Sequence, residues 1–118
     1  MDVSSLVIDG TEKGKRFRVI YNGWDYLLQP KLFSYLAILA NYRVTVKDGW
    51  TPIEAFDEPN ETLPGKYIYR LRRDTPIPIV RKSGAHGLYR LEVNPQGIIF
   101  NRKKLSQYWD SSVSGLFI

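Results

Sequence analysis

A chain of 118 residues, 43% hydrophobic and 14% aromatic, is long enough for one domain with a packed core. It contains no cysteine, which excludes disulfides and thiolate metal sites. No apolar run reaches membrane-span length and no secretory leader pattern opens the chain, so a cytoplasmic protein with no membrane partner is expected.

The net charge of +5 is unevenly placed. Residues 1–60 carry 7 basic and 8 acidic side chains, whereas residues 61–118 carry 10 and 4. Between Lys66 and Arg90, seven basic side chains meet only Asp74. Charge concentrated in this way fits a polyanionic partner. A solvated basic face with no specific partner is the simpler alternative.

Residues 1–14 are polar apart from Leu6-Val7-Ile8. Gly10 to Arg16 superficially suggests a phosphate-binding loop, but only three residues separate the glycines, and Arg16 stands where Ser or Thr would bind magnesium. Phe17 to Leu28 reads as two strands around Asn22-Gly23, the pair best suited to a type I′ turn. Pro30 opens a helix over 30–41, in which Leu32, Phe33, Leu36, Leu39 and Ala40 recur at helical spacing. Val44-Thr45-Val46 suggests a short strand, followed by a turn at Lys47-Asp48-Gly49. Thr51-Pro52-Ile53-Glu54 has the pattern of a helix start, and a short second helix is expected over 52–58.

Asn60 or Thr62 can cap a third helix, which Pro76 and Pro78 end. Ile68 and Leu71 form its narrow apolar seam. Gly65 weakens that helix unless something must approach its backbone. A hairpin follows over 79–91, with a tip made adaptable by Gly84 and Gly87. Asn94-Pro95-Gln96-Gly97 is a turn, Ile98-Ile99-Phe100 a strand, and Asn101 caps a last short helix with Leu105, Tyr108 and Trp109 on one face. Ser111 to Gly115 is flexible in character, and Leu116-Phe117-Ile118 ends the chain as an apolar tail. Trp24, Trp50 and Trp109 are most simply core.

A basic helix followed by a basic hairpin is a physical device for holding nucleic acid. Arg70 has a planar fork suited to guanine or to two phosphate oxygens. Lys66 reaches base or phosphate as a point charge, and Tyr67 and Tyr69 can pack on sugars or thymine methyls. The competing reading buries the tyrosines against the first helix. For Arg72 the competing reading is an internal pair with Glu54, Asp57 or Glu58. In the hairpin, Arg81, Lys82 and His86 suit phosphate contact, with solvated surface as the alternative, favoured for His86. Arg102-Lys103-Lys104 sit where the helix dipole disfavours cations, which suggests a misplaced helix boundary.

The order of sheet, helices and hairpin resembles the winged helix-turn-helix effector domain of OmpR/PhoB-type response regulators over residues 17–91. Ile68-Tyr69-Arg70-Leu71-Arg72-Arg73 is similar to that family's recognition-helix pattern. Ile79-Val80-Arg81 through Gly87-Leu88-Tyr89-Arg90-Leu91 is similar to its wing, and Leu28-Gln29-Pro30-Lys31-Leu32-Phe33 through Leu39 to its first helix. The chain departs from the pattern in Gln29, in the extra residues Lys82 to His86, in a longer segment from Arg43 to Trp50, and in Pro64-Gly65.

The resemblance implies an α+β winged helix-turn-helix fold: an N-terminal β-sheet, a three-helix core and a C-terminal β-hairpin wing. It divides the chain into an N-terminal segment, 1–16, the winged domain, 17–93, and an extension with a short helix, 94–118. The implied function is binding of double-stranded DNA in transcriptional regulation, with a recognition helix over 62–73 and a wing over 79–91. The DNA-binding residues would be Lys66, Tyr67, Tyr69, Arg70, Arg72, Arg73, Arg81 and Lys82. No cofactor, metal or catalytic residue is expected. A winged helix used as a protein–protein adaptor is the main rival, and an RNA-binding module or a small hydrolase are weaker ones. Homodimerisation and a further regulatory domain or protein partner stay open.

Overall fold

The computed structural model describes residues 4–82 and 87–118. Three antiparallel strands come first: β1 (Leu6–Lys13), β2 (Arg16–Tyr21) and β3 (Trp24–Leu28). A late strand, β7 (Ile98–Phe100), adds to β1 in parallel, giving the order β3-β2-β1-β7. Alternation sets the faces. Leu6, Ile8, Phe17, Val19, Leu28 and Ile98 point into the core, while Ile99 and Leu27 lie on the outer face and are exposed. Gly97, just before β7, passes directly over the Ser4 carbonyl, where a side chain would collide with backbone.

The sheet packs on α1 (Pro30–Thr45), whose residues Leu32 to Ala40 are all buried. A helix covered on every side needs no amphipathic stripe, and α1 is the centre of the molecule. The buried Ser34 hydroxyl donates to the Pro30 carbonyl at 3.0 Å. The helix runs four residues past the expected end and takes in Val44 and Thr45, so there is no strand at 44–46. Thr45 donates its hydroxyl to the Asn41 carbonyl at 2.8 Å, and the Val46 N–H bonds to Tyr42 at 2.9 Å. Local hydrogen bonding thus outweighs the β-preference of these branched residues.

The expected second helix is a single 3-10 turn, Ile53–Phe56, ended by Asp57 in the left-handed region at φ 52°. Its cap signal is overridden by the sheet. Thr51 is drawn into β4 (Thr51–Pro52), opposite Tyr89, and its hydroxyl caps nothing. The turn is anchored by Phe56, whose ring stacks on Tyr35 of α1 at 4.3 Å with planes 5° apart.

The third helical element is α2 (Leu63–Asp74). Asn60 caps it: its side-chain oxygen accepts from the N–H groups of Thr62 and Leu63 at 3.0 and 3.1 Å. At the other end the Thr75 hydroxyl donates to the Leu71 carbonyl at 2.8 Å. The hairpin strands are β5 (Ile79–Arg81) and β6 (Leu88–Leu91), and β4 completes a second sheet in the order β4-β6-β5. Gly84 and His86, expected at the hairpin tip, lie outside the described residues.

The C-terminal region closes the core. Asn101 caps α3 (Arg102–Ser106) by accepting from the Lys104 N–H at 3.3 Å, so the basic triplet does open this helix. Ser111–Ser114 is not flexible chain but a one-turn helix, α4, capped by Asp110. It places Val113 and Phe117 in the same core as Leu6 and Ile8. None of the three tryptophans is core: Trp24 is 73% exposed, Trp109 66%, and Trp50 is half-buried. Trp24 ends a sheet edge at the turn, and Trp109 lies on the outer side of Tyr108, which takes the buried position. No described helix is long and apolar enough to cross a membrane. The arrangement is α+β and winged-helix-like: a sheet, helices and a β-hairpin around one core.

Candidate nucleic-acid interface

The sequence of α2 dictates two faces. Pro64, Ile68 and Leu71 are buried, while Lys66, Tyr69, Arg72 and Arg73 are exposed. Arg70 and Tyr67 lie between and are half-buried. Burial claims one tyrosine and not the other. Tyr67 rests on the Tyr35 ring at 5.1 Å, with Lys31 Nζ and the Arg70 guanidinium each 5.7 Å from its own ring centre. Tyr69 points outward and is 58% exposed.

The arginines differ in what occupies them. Arg73 forks onto its neighbour Asp74 at 2.8 and 3.4 Å. That contact raises the arginine pKa and holds the carboxyl below the usual carboxylate range. Arg72 forms no ion pair among the described residues, and Glu58, one of its three expected partners, is paired with Lys31 instead. Tyr69, Arg72 and Arg73 together line a shallow open depression on the outer surface of α2.

Behind the helix lies a polar layer that fixes its position. Lys31, in the first turn of α1, pairs with the nearly buried Glu58 carboxylate just before α2. Tyr35 sits beside the same carboxylate, and burial first, then that charge, pushes its hydroxyl pKa far up. No close approach requires the glycine at position 65: a side-chain carbon there would meet the Tyr89 hydroxyl at 3.4 Å, an ordinary contact distance. Tyr89 belongs to β6, so the hairpin is braced against the first turn of α2.

The hairpin carries Arg81 and Lys82 exposed at the end of β5. Beside them is a group the sequence reading missed. The Arg90 guanidinium lies over the Trp50 ring at 4.3 Å, and Lys82 Nζ is 5.7 Å from its centre. Arg90 also donates to the Asp48 carbonyl at 3.2 Å and to Glu92 at 2.9 Å. Trp50 is therefore half-buried between cations rather than in the core. The available signal was a tryptophan just before a strand that pairs with a basic hairpin.

A second missed group is the β1–β2 turn, where Lys13, Lys15 and Arg16 are all exposed. Among the described residues, no three His, Asp or Glu side chains gather in a way that could hold a metal ion. No protein-family model, curated protein or solved structure matches this chain.

Proposed function

We propose that the chain is a winged helix-turn-helix DNA-binding domain of the OmpR/PhoB effector type, acting in transcriptional regulation and not as an enzyme. The observation that carries this reading is the outer face of α2, where Lys66, Tyr69 and Arg72 are exposed and a basic hairpin follows after a short linker. In the proposed mode α2 enters the major groove. Arg70 and Arg72 reach base edges or phosphates, and Lys66 and Tyr69 flank them. Arg81 and Lys82 hold the neighbouring backbone, which sets register without reading sequence. Tyr67 acts from behind by positioning Arg70 and Lys31.

The test is salt-titrated binding to duplex DNA, duplex RNA and single strands. Neutralising four to six phosphates gives a slope of log K against log salt of about −4 to −5 on duplex DNA. Arg70→Ala costs about 1–3 kcal/mol on a selected site and relaxes one base position. Arg81→Ala weakens all sequences alike and lowers the slope by about one. Absence of duplex binding at low salt would sink this reading and favour a protein–protein adaptor, for which the exposed Tyr69, Leu116 and Ile118 are suited.

A further inference from the structure

We infer that the β1–β2 hairpin tip, Lys13-Gly14-Lys15-Arg16, is an additional contact for the duplex phosphate backbone, beyond the C-terminal end of α2. The inference rests on the proposed DNA-binding function and adds a third contact element to the helix and the wing.

The first observation is position. Arg16 lines one cleft together with Gln29 and Leu32 at the start of α1 and Asp74 at the end of α2. The hairpin tip therefore stands beside the last turn of α2, although α2 lies some fifty residues further along the chain. A helix lodged in a major groove about 12 Å wide has phosphates flanking its ends. The charge of Arg16 is felt at Asp74, whose pKa it helps to lower after the stronger effect of Arg73.

The second observation is charge without compensation. Lys13, Lys15 and Arg16 are exposed and form no salt bridge among the described residues. Glu12 in the turn is exposed, and the acidic groups that share clefts with Lys13 and Arg16, Asp25 and Asp74, are already paired with Arg18 and Arg73.

The third observation is backbone conformation. Gly14 and Lys15 occupy the two left-handed positions of a tight turn, at φ 59° and 65°. The other tight turn of the same sheet fills those positions with Asn22 and Gly23, at φ 50° and 84°. Asn and Gly tolerate this region, whereas a lysine is strained there. The strained residue is a cation at the outermost point of the turn, where no atom lies within 4 Å of a side-chain carbon placed on Gly14. Strain retained at an open charged tip fits a contact with a partner better than it fits folding.

The test compares the intact chain with Lys13→Gln/Lys15→Asn/Arg16→Gln and with the charge-matched Lys47→Gln/Lys103→Gln/Lys104→Gln, using a random duplex. The tip variant is expected to bind about tenfold to a hundredfold more weakly near 0.1 M salt, with a salt slope shallower by about two to three. The charge-matched variant is expected to lose clearly less. The single variant Lys15→Gly separates binding from folding: its melting temperature rises while its affinity falls. Unchanged affinity and slope in the tip variant, or an equal loss in the charge-matched one, overturns the inference while leaving the DNA reading standing. No binding by the intact chain overturns both.

Discussion

Lys31 and Glu58 form an ion pair in which the two partners are unequally exposed: the lysine side chain keeps 43% of its surface and the glutamate only 4%. The asymmetry decides what each substitution does. Lys31→Ala leaves a nearly buried carboxylate without its counter-charge and is expected to destabilise the fold by about 3 kcal/mol. Glu58→Gln leaves an amide, and the lysine rehydrates, so the loss is about 1 kcal/mol. Urea denaturation of the two variants measures the difference, and equal losses would mean that the carboxylate is hydrated after all. The pair also sets a pH limit. Its hydrogen bond to Glu58, opposed by some burial, raises the Lys31 pKa above the ordinary 10.5. Its stabilisation is complete below that value and is lost as pH rises through the raised one.

The acid limb has a different origin. Asp9 in β1 is pushed upward by partial burial, but hydrogen bonds from Thr11 and Asn101 and the charge of Arg18 outweigh this, so its pKa falls below the ordinary 3.8. A carboxyl with a lowered folded-state pKa adds stability above the unfolded value and loses it as pH falls through the folded one. Since Asn101 also caps α3, acid is expected to loosen α3 from β1 first. Asp9→Asn should flatten the fall in melting temperature below about pH 4. A variant with the same acid limb as the intact chain would place the effect on another carboxylate.

Two glycines predict opposite outcomes for the same change. At Gly65 an added methyl meets the Tyr89 hydroxyl at ordinary contact distance, 3.4 Å. Gly65→Ala is therefore expected to stabilise the chain by about 0.5–1 kcal/mol through helix propensity. At Gly97 the methyl would fall on the Ser4 carbonyl. Gly97→Ala must displace the parallel pairing of β1 with β7, and a loss of about 2 kcal/mol or more is expected, as for other overpacked sites. Thermal melts of the two variants check the signs.

The C-terminal tail is expected to act as core. Phe117 is 6% exposed, and its ring lies 5.0 Å from Phe100, with the Arg102 guanidinium 5.8 Å away. Phe117→Ala should cost about 3 kcal/mol, as for other buried phenylalanines. Truncation after Asp110 should lower stability at least as much. If the truncated chain melts like the intact one, the docking of α4 contributes nothing to the fold.

What the sequence determined alone was local. The Asn22-Gly23 turn, the limits of α2 between Asn60 and Pro76, the two strands of the wing and the Asn101 cap all depend on neighbours within a few residues. Such signals survive in a linear reading. The basic and aromatic face of α2 was legible for the same reason, because helical spacing separates Ile68 and Leu71 from Lys66, Tyr69 and Arg72. Tertiary structure decided the rest by competition. Thr51 carries a helix cap signal but is used as a strand opposite Tyr89, which reduces the second helix to one turn around Phe56. Leu6 pairs with Ile98 from the far end of the chain, a contact that no local pattern announces. The tail, read as a flexible stretch with an apolar end, folds because Val113 and Phe117 find apolar surface that only the assembled sheet and α1 present. Arg16 comes to share a cleft with Asp74, and Arg90 covers Trp50, only once the hairpins have closed. Residue chemistry chose the local elements; long-range burial and strand pairing chose which of their competing preferences prevailed.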